Sequence, residues 1–134
     1  DSCLIYKPDN IVTLNNYAYF LSVDGKQLPK AEEMSAKAVK AEPKNATYLD
    51  TYAWILYKQQ RFAEAKVYID MALKNSSDST SDGTLYEHAG DIYSELHDYK
   101  AAVAYYKQAQ QRGGDVKALN RKIILYQKRI QKSK

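Results

Sequence analysis

Residues 45–75 read NATYLDTYAWILYKQQRFAEAKVYIDMALKN. Asn45 is a residue type suited to open a helix, because its short side chain accepts a bond from a backbone N–H that has no intrahelical partner. Leu49, Ala53, Ile55 and Leu56 follow at the spacing of one helical face. A second helix opens at Phe62 and carries Ala65 and Ala72, with Tyr68 and Ile69 between them. Small side chains recur where two helices must approach closely, and large ones where the gap must be filled. The stretch therefore predicts two helices packed against each other.

The same offsets return on both sides. Counted from Asn10 and Asp82 as caps, the first-helix positions are Leu14, Ala18, Phe20 and Leu21 upstream, and Tyr86, Gly90, Ile92 and Tyr93 downstream. The second helices open at Leu28 and Tyr99 and carry the alanine pairs Ala31/Ala38 and Ala102/Ala109, with Met34 and Tyr105/Tyr106 supplying bulk. Pro29 falls in the first turn of its helix, where a missing N–H is harmless. The second-helix alanines advance by 34 residues and then by 37, the longer step reflecting the linker at 75–82. The first connection, around Asp24-Gly25, is one residue longer than the others. Repeats in register at this period mark an array of stacked units.

The pattern resembles the tetratricopeptide repeat, a 34-residue helix–turn–helix unit, over nearly the whole chain. Ala18, Ala53 and Gly90 match the family's small first-helix residue, and the three alanine pairs match its second-helix alanines. Pro43 matches the closing proline, which the later repeats lack. The resemblance implies an all-α, right-handed superhelix (an α-solenoid) of three units plus a C-terminal capping helix, in one domain over 1–134. The expected divisions are 10–43, 45–79 and 82–112 for the repeats and 115–131 for the cap. Pro8 follows Cys3 as Pro43 follows Ala38, so 1–8 is expected to end a preceding repeat, with the chain a section of a longer protein and an open N-terminal edge that could self-associate. In helix seven, Asp115 is the expected cap and Leu119, Leu125 and Tyr126 the packing residues. Ile123, where a repeat would place Ala or Gly, would obstruct any following helix. The runs at 15–21, 49–58 and 87–93 are similar to the last repeats of long bacterial members of the family, some of them exported. This makes a bacterial cell envelope the expected location and leaves the cytoplasm open.

Composition narrows the function. Of 134 residues, 45% are hydrophobic and 27% charged, a globular balance, and 5 Gly and 3 Pro are too few for a turn-rich β fold. The single Cys3 excludes an internal disulfide and reads as a small buried filler. No metalloprotease, phosphate-loop or nucleophile-elbow motif occurs, and His88 and His97 stand nine residues apart on a helix and its turn. The acidic run before Gly83 resembles a calcium loop only superficially, because its closing carboxylate would be Ala89. No catalytic residue, cofactor or metal ligand is expected. Residues 1–111 balance to −3 and residues 112–134 to +7. The basic end reads as the wet face of a capping helix, with nucleic acid or an anionic surface as the lesser alternative.

The first helices of such an array line a concave surface. Opposite the packing stripe lie Val12, Asn15, Tyr19 and Ser22, then Thr47, Asp50, Trp54 and Tyr57, then Thr84, Glu87, Asp91 and Ser94, with His88 and Glu95 beside them. Lys117, Asn120, Arg121 and Ile124 follow on the cap. Asn15, Tyr19, Asp50, Trp54, Tyr57, Glu87, His88, Asp91, Glu95 and Arg121 are the candidate binding residues for a peptide or protein segment. Rigid amphipathic aromatics serve as interface anchors, although Tyr19, Trp54 and Tyr57 could equally pack on one another. Glu87, Asp91 and Glu95 repel one another unless a cation lies opposite, from Arg121 and Lys122 or from a partner. Some members of the family clamp a carboxylate tail with Lys, Asn and Arg, and this chain lacks those cations in the groove. A spacer role within a larger protein is the alternative.

Overall fold

The structure, a computed structural model, describes residues 11–25, 27–76 and 83–132. The described residues form seven helices and no strand: α1 (Ile11–Asp24), α2 (Leu28–Ala41), α3 (Ala46–Lys58), α4 (Phe62–Asn75), α5 (Gly83–Glu95), α6 (Tyr99–Gln111) and α7 (Val116–Lys132). Asn45 accepts from the Tyr48 N–H at 3.1 Å and Asp115 from the Ala118 N–H at 3.1 Å, so both cap as expected. Asp98 caps α6 through the Ala101 N–H, a cap the sequence analysis passed over. The proposed caps Asn10 and Asp82, Cys3, residues 1–8 and the acidic run at 78–82 lie outside the described residues. None of the described helices is long and apolar enough to cross a membrane.

Helices pack as successive pairs, α1 on α2, α3 on α4 and α5 on α6, and each pair meets the next through α2–α3 and α4–α5. Contacts of α1 with α3 and of α3 with α5 put the odd-numbered helices side by side in one layer. The chain is an all-α helical-repeat solenoid, closed at one end by α7 on α6. Every alanine of the repeat pattern is fully buried. Opposite the small first-helix residues, the same second-helix register holds Ser35, Ile69 and Tyr106, all fully buried. The largest of them faces the smallest first-helix residue. A Cβ on Gly90 would lie 2.5 Å from the Tyr106 ring.

The connections share a device that spacing alone concealed. Gly25, Gln60 and His97 stand at one repeat position and all adopt left-handed backbone, at φ 74°, 64° and 65°. At the latter two, the next residue's N–H reaches back to Leu56 and Tyr93, which closes each helix with satisfied carbonyls. The extra residue of the first connection brings a second left-handed position, Gln27.

Two expectations fail. Phe20 is 66% exposed, whereas Ile55 and Ile92 at its offset are fully buried. Ile55 is covered by α1 and α2, but no described helix precedes α1, so Phe20 stays open beside Val12, Tyr17 and Val23. Leu125 is 46% exposed. The stripe of α7 that meets the core is Leu119, Ile123, Tyr126 and Ile130, and Leu125 points away from it. Ile123 packs into the main core.

Two glycine exchanges should act in opposite directions. Gly90→Ala gains about 1 kcal/mol of helix propensity but forces a methyl into a packed ring, which costs about 1–3 kcal/mol. Urea unfolding should show a net loss of up to about 2 kcal/mol, because Tyr106 is fully buried and has no room to retreat. Gln60→Gly should instead raise stability by about 0.5–1 kcal/mol, since left-handed backbone penalises a Cβ more than the unfolded chain gains from glycine.

Candidate functional site

Along the layer of α1, α3 and α5 the candidate residues form two neighbouring clusters. The first is aromatic. The Trp54 indole stacks on the His88 imidazole at 3.9 Å and on Tyr57 at 4.6 Å between centroids. Tyr57 meets Phe62 edge-on at 5.5 Å, and Tyr19 lies 6.4 Å from His88. Lys58 Nζ stands 5.3 Å from the Trp54 ring centre. Trp54, Tyr57 and Tyr19 therefore pack against neighbours yet remain half-buried. Burial, then the charges of Asp91 and Glu95, push the Tyr57 phenol up to about 12.

His88 is the floor of this cluster, only 5% exposed. Its Nδ1 bonds to Asp50 Oδ1 at 2.8 Å. Because an ionised carboxylate only accepts, Nδ1 carries the proton. Beside the pair, a cavity of about 340 Å³ opens between the three helices, lined by Asn15, Tyr19, Thr47, Asp50, Thr84 and His88 among others. Asn15 is 3% exposed, and its Oδ1 has no hydrogen-bond partner.

The second cluster is the acidic ladder. Lys122 reaches from α7 to donate to Glu87 Oε2 at 3.2 Å and to Asp91 Oδ1 at 3.0 Å. The Tyr106 hydroxyl donates to the same Asp91 oxygen at 2.6 Å. Burial pulls the Lys122 ammonium down, but Asp91 and Glu87 outweigh it and hold its pKa above the usual lysine value. Of the two proposed internal counterions, Lys122 serves and Arg121 stays exposed. Glu95 is exposed as well. The stripe is less wet than its pattern suggests. Ser22 and Ser94 are buried, and each hydroxyl bonds back to its own turn, at Tyr19 O and Asp91 O. Sequence spacing named Lys122 as a counterion without separating it from Arg121, and it missed the Tyr106 hydroxyl beneath Asp91.

Two buried phenols make a pH prediction. Burial, together with Asp91 beside Tyr106 and Asp70 beside Tyr93, raises both pKa values far above the usual phenol value. The folded state holds these protons while the unfolded chain releases them from about pH 10. Their contribution is complete below that pH and lost above it, at up to about 1.4 kcal/mol per pH unit for each phenol. Thermal melts between pH 8 and 11.5 should fall steeply above pH 10, and Tyr106→Phe should flatten the slope.

No family profile matches the sequence. A TPR repeat-containing protein of Pseudomonas aeruginosa is 35% identical over 72 residues, a match that takes in 54% of this chain and 12% of that protein's length. The Sgt2 TPR domain of Aspergillus fumigatus superposes with a TM-score of 0.78 at 20% identity, over 93% of this chain and 82% of that domain. YrrB, described as a TPR protein with an unusual peptide-binding site, gives 0.66 at 22% identity, over 78% and 52% of the two chains. Repeat spacing, curated relative and solved structures agree on the fold, a helical-repeat array similar to those built from tetratricopeptide repeats.

Proposed function

We propose that the chain is a non-catalytic protein-interaction module that holds an extended peptide or protein segment along the layer of α1, α3 and α5. The observation that carries this reading is the Trp54 stack. An indole stacked on an imidazole and on a phenol while still partly exposed is an anchor already held in one rotamer. Such a group loses little side-chain entropy when a partner arrives, so more of its burial counts toward affinity. Tyr19 extends the aromatic surface toward α1, and the adjacent cavity offers a place for a partner side chain. The peptide-binding site described for YrrB, on the same fold, supports this use of the array.

A terminal carboxylate is a poor match for this groove. Among the described residues, no lysine or arginine lines the cavity. Lys122, the cation that reaches in from α7, is held between Glu87 and Asp91. We place the repeats at 10–43, 45–79 and 82–112 with 115–131 as the cap, so the segment held would span the first helices of all three units.

Panning this chain against a displayed library of random dodecapeptides tests the proposal. Selected peptides should lose at least tenfold in affinity on Trp54→Ala and on Tyr19→Ala, with thermal melts confirming that both variants fold. Val67→Ser, at an exposed position on α4, should leave binding unchanged. Equal binding by the Trp54 and Tyr19 variants would place the contact elsewhere and defeat the proposal.

A further inference from the structure

Charge is distributed unevenly along this array. Residues 1–98 hold ten lysines and arginines against fifteen acids, whereas residues 99–132 hold nine against the single acid Asp115. Six of those nine lie on α7, the helix that closes the array. Two of the six are already engaged. Lys122 bridges Glu87 and Asp91, and the Arg129 guanidinium lies 5.7 Å from the Tyr99 ring centre. Among the described residues, Lys117, Arg121, Lys128 and Lys132 form no ion pair, and all four are exposed. At 3.6 residues per turn these four fall within about 60° of arc and extend about 22 Å along the helix. Their row lies opposite the core-facing stripe of Leu119, Ile123, Tyr126 and Ile130, so it faces away from the packed interior. Ile124 shares the same sector and Leu125 borders it, each 46% exposed. Like charges at this spacing repel one another until an anion lies across them.

We propose that the outer face of α7 docks on an anionic membrane surface, with Lys117, Arg121, Lys128 and Lys132 on lipid phosphates and Ile124 and Leu125 in the acyl boundary. The proposal is independent of the groove on α1, α3 and α5. Charge complementarity selects an anionic partner, and two observations select a bilayer over nucleic acid. Aliphatic side chains set among the cations have a place in lipid, whereas a phosphate backbone offers them none. Single-stranded nucleic acid is held by stacking its bases on aromatic rings, and the one aromatic of α7, Tyr126, is already stacked on Tyr99 and Tyr106. Long lysine stems keep their ammonium groups at headgroup level while the aliphatic pair reaches deeper. The acidic balance of residues 1–98 turns the molecule so that its α7 end meets the surface first. Docking of this kind is peripheral, since none of the described helices is long and apolar enough to cross a membrane.

Sedimentation of the intact chain with vesicles tests the proposal, using either pure phosphatidylcholine or phosphatidylcholine mixed with phosphatidylglycerol. Binding to the mixed vesicles alone is expected, and it should weaken as salt is raised. A cation near an anionic surface contributes about fivefold, so Arg121→Gln with Lys128→Gln should weaken partitioning at least tenfold. Lys37→Gln with Lys40→Gln, at exposed positions on α2, removes the same charge and should change partitioning less than twofold. Ile124→Ser with Leu125→Ser keeps every charge and should still weaken it at least fivefold. All six side chains are exposed, and thermal melts check that each variant folds. Equal loss from the two charge pairs, an aliphatic variant that binds undiminished, or no binding to mixed vesicles at low salt would overturn the proposal. Tighter retention on single-stranded RNA or duplex DNA than on mixed vesicles at equal salt would assign the row to nucleic acid and overturn it too.

Discussion

Everything in this molecule depends on how closely the two helices of each pair can approach. Ala18, Ala53 and Gly90 are fully enclosed, and the second-helix residue at the matching register grows from Ser35 through Ile69 to Tyr106. The third pair is the extreme case, because the aromatic ring occupies the space where a Cβ on Gly90 would sit. Close packing makes such choices reciprocal, since volume surrendered by one helix must be filled from the other. Because the ring fits there, the Tyr106 hydroxyl emerges on the α5 side and donates to Asp91. A packing decision in the core thus fixes the electrostatics of a surface.

That link explains why the two ends of the layer differ in character. Around α5 and α7 the carboxylates of Glu87 and Asp91 are matched by Lys122, which also lies 5.3 Å from the Tyr106 ring centre. These charges are occupied, and the arrangement ties the capping helix to the unit it covers. Around α1 and α3 no lysine or arginine among the described residues lines the cavity, and Asp50 is paired with an imidazole. The basic character of residues 112–134 is partly turned inward as well. Lys122 is committed, and the Arg112 and Arg129 guanidiniums lie 4.6 and 5.7 Å from the ring centres of Tyr86 and Tyr99. What remains partly exposed between α1 and α3 is aromatic surface, at Tyr19, Trp54 and Tyr57.

Periodicity made the helices, their pairing and the buried alanines legible, because each of those follows from which residues share a face. It could not show which face has a neighbour. Phe20 and Ile55 occupy one offset, and only the second has a preceding helix against it. Nor could it show the left-handed turn residues, since two of the three carry a side chain where glycine would have announced the turn. On the candidate site, spacing collected Asn15, Tyr19, Asp50, Trp54 and His88 along one layer, where the structure brings them together around a cavity and an indole stack. The inward turn of Lys122 rather than Arg121 was hidden, because adjacent residues on a helix differ by about 100° and only the position of α5 decides which one finds acids.

Buried polar atoms separate structural from functional features on this layer. Ser22, Thr51 and Ser94 are buried in the first helices, and each returns its hydroxyl proton to a carbonyl of its own turn. None of them asks for a ligand. Ser35 is buried with no partner for Oγ, but it lies in the packed register between second-helix alanines, so its hydroxyl is a cost the core absorbs. Asn15 has the same deficit in a different place. The residue borders the cavity between α1, α3 and α5, yet Oδ1 itself is sealed, so it too is a cost that the packing absorbs. The functional weight of the layer therefore falls on the partly exposed aromatic side chains of α1 and α3, with Trp54 stacked on the buried His88.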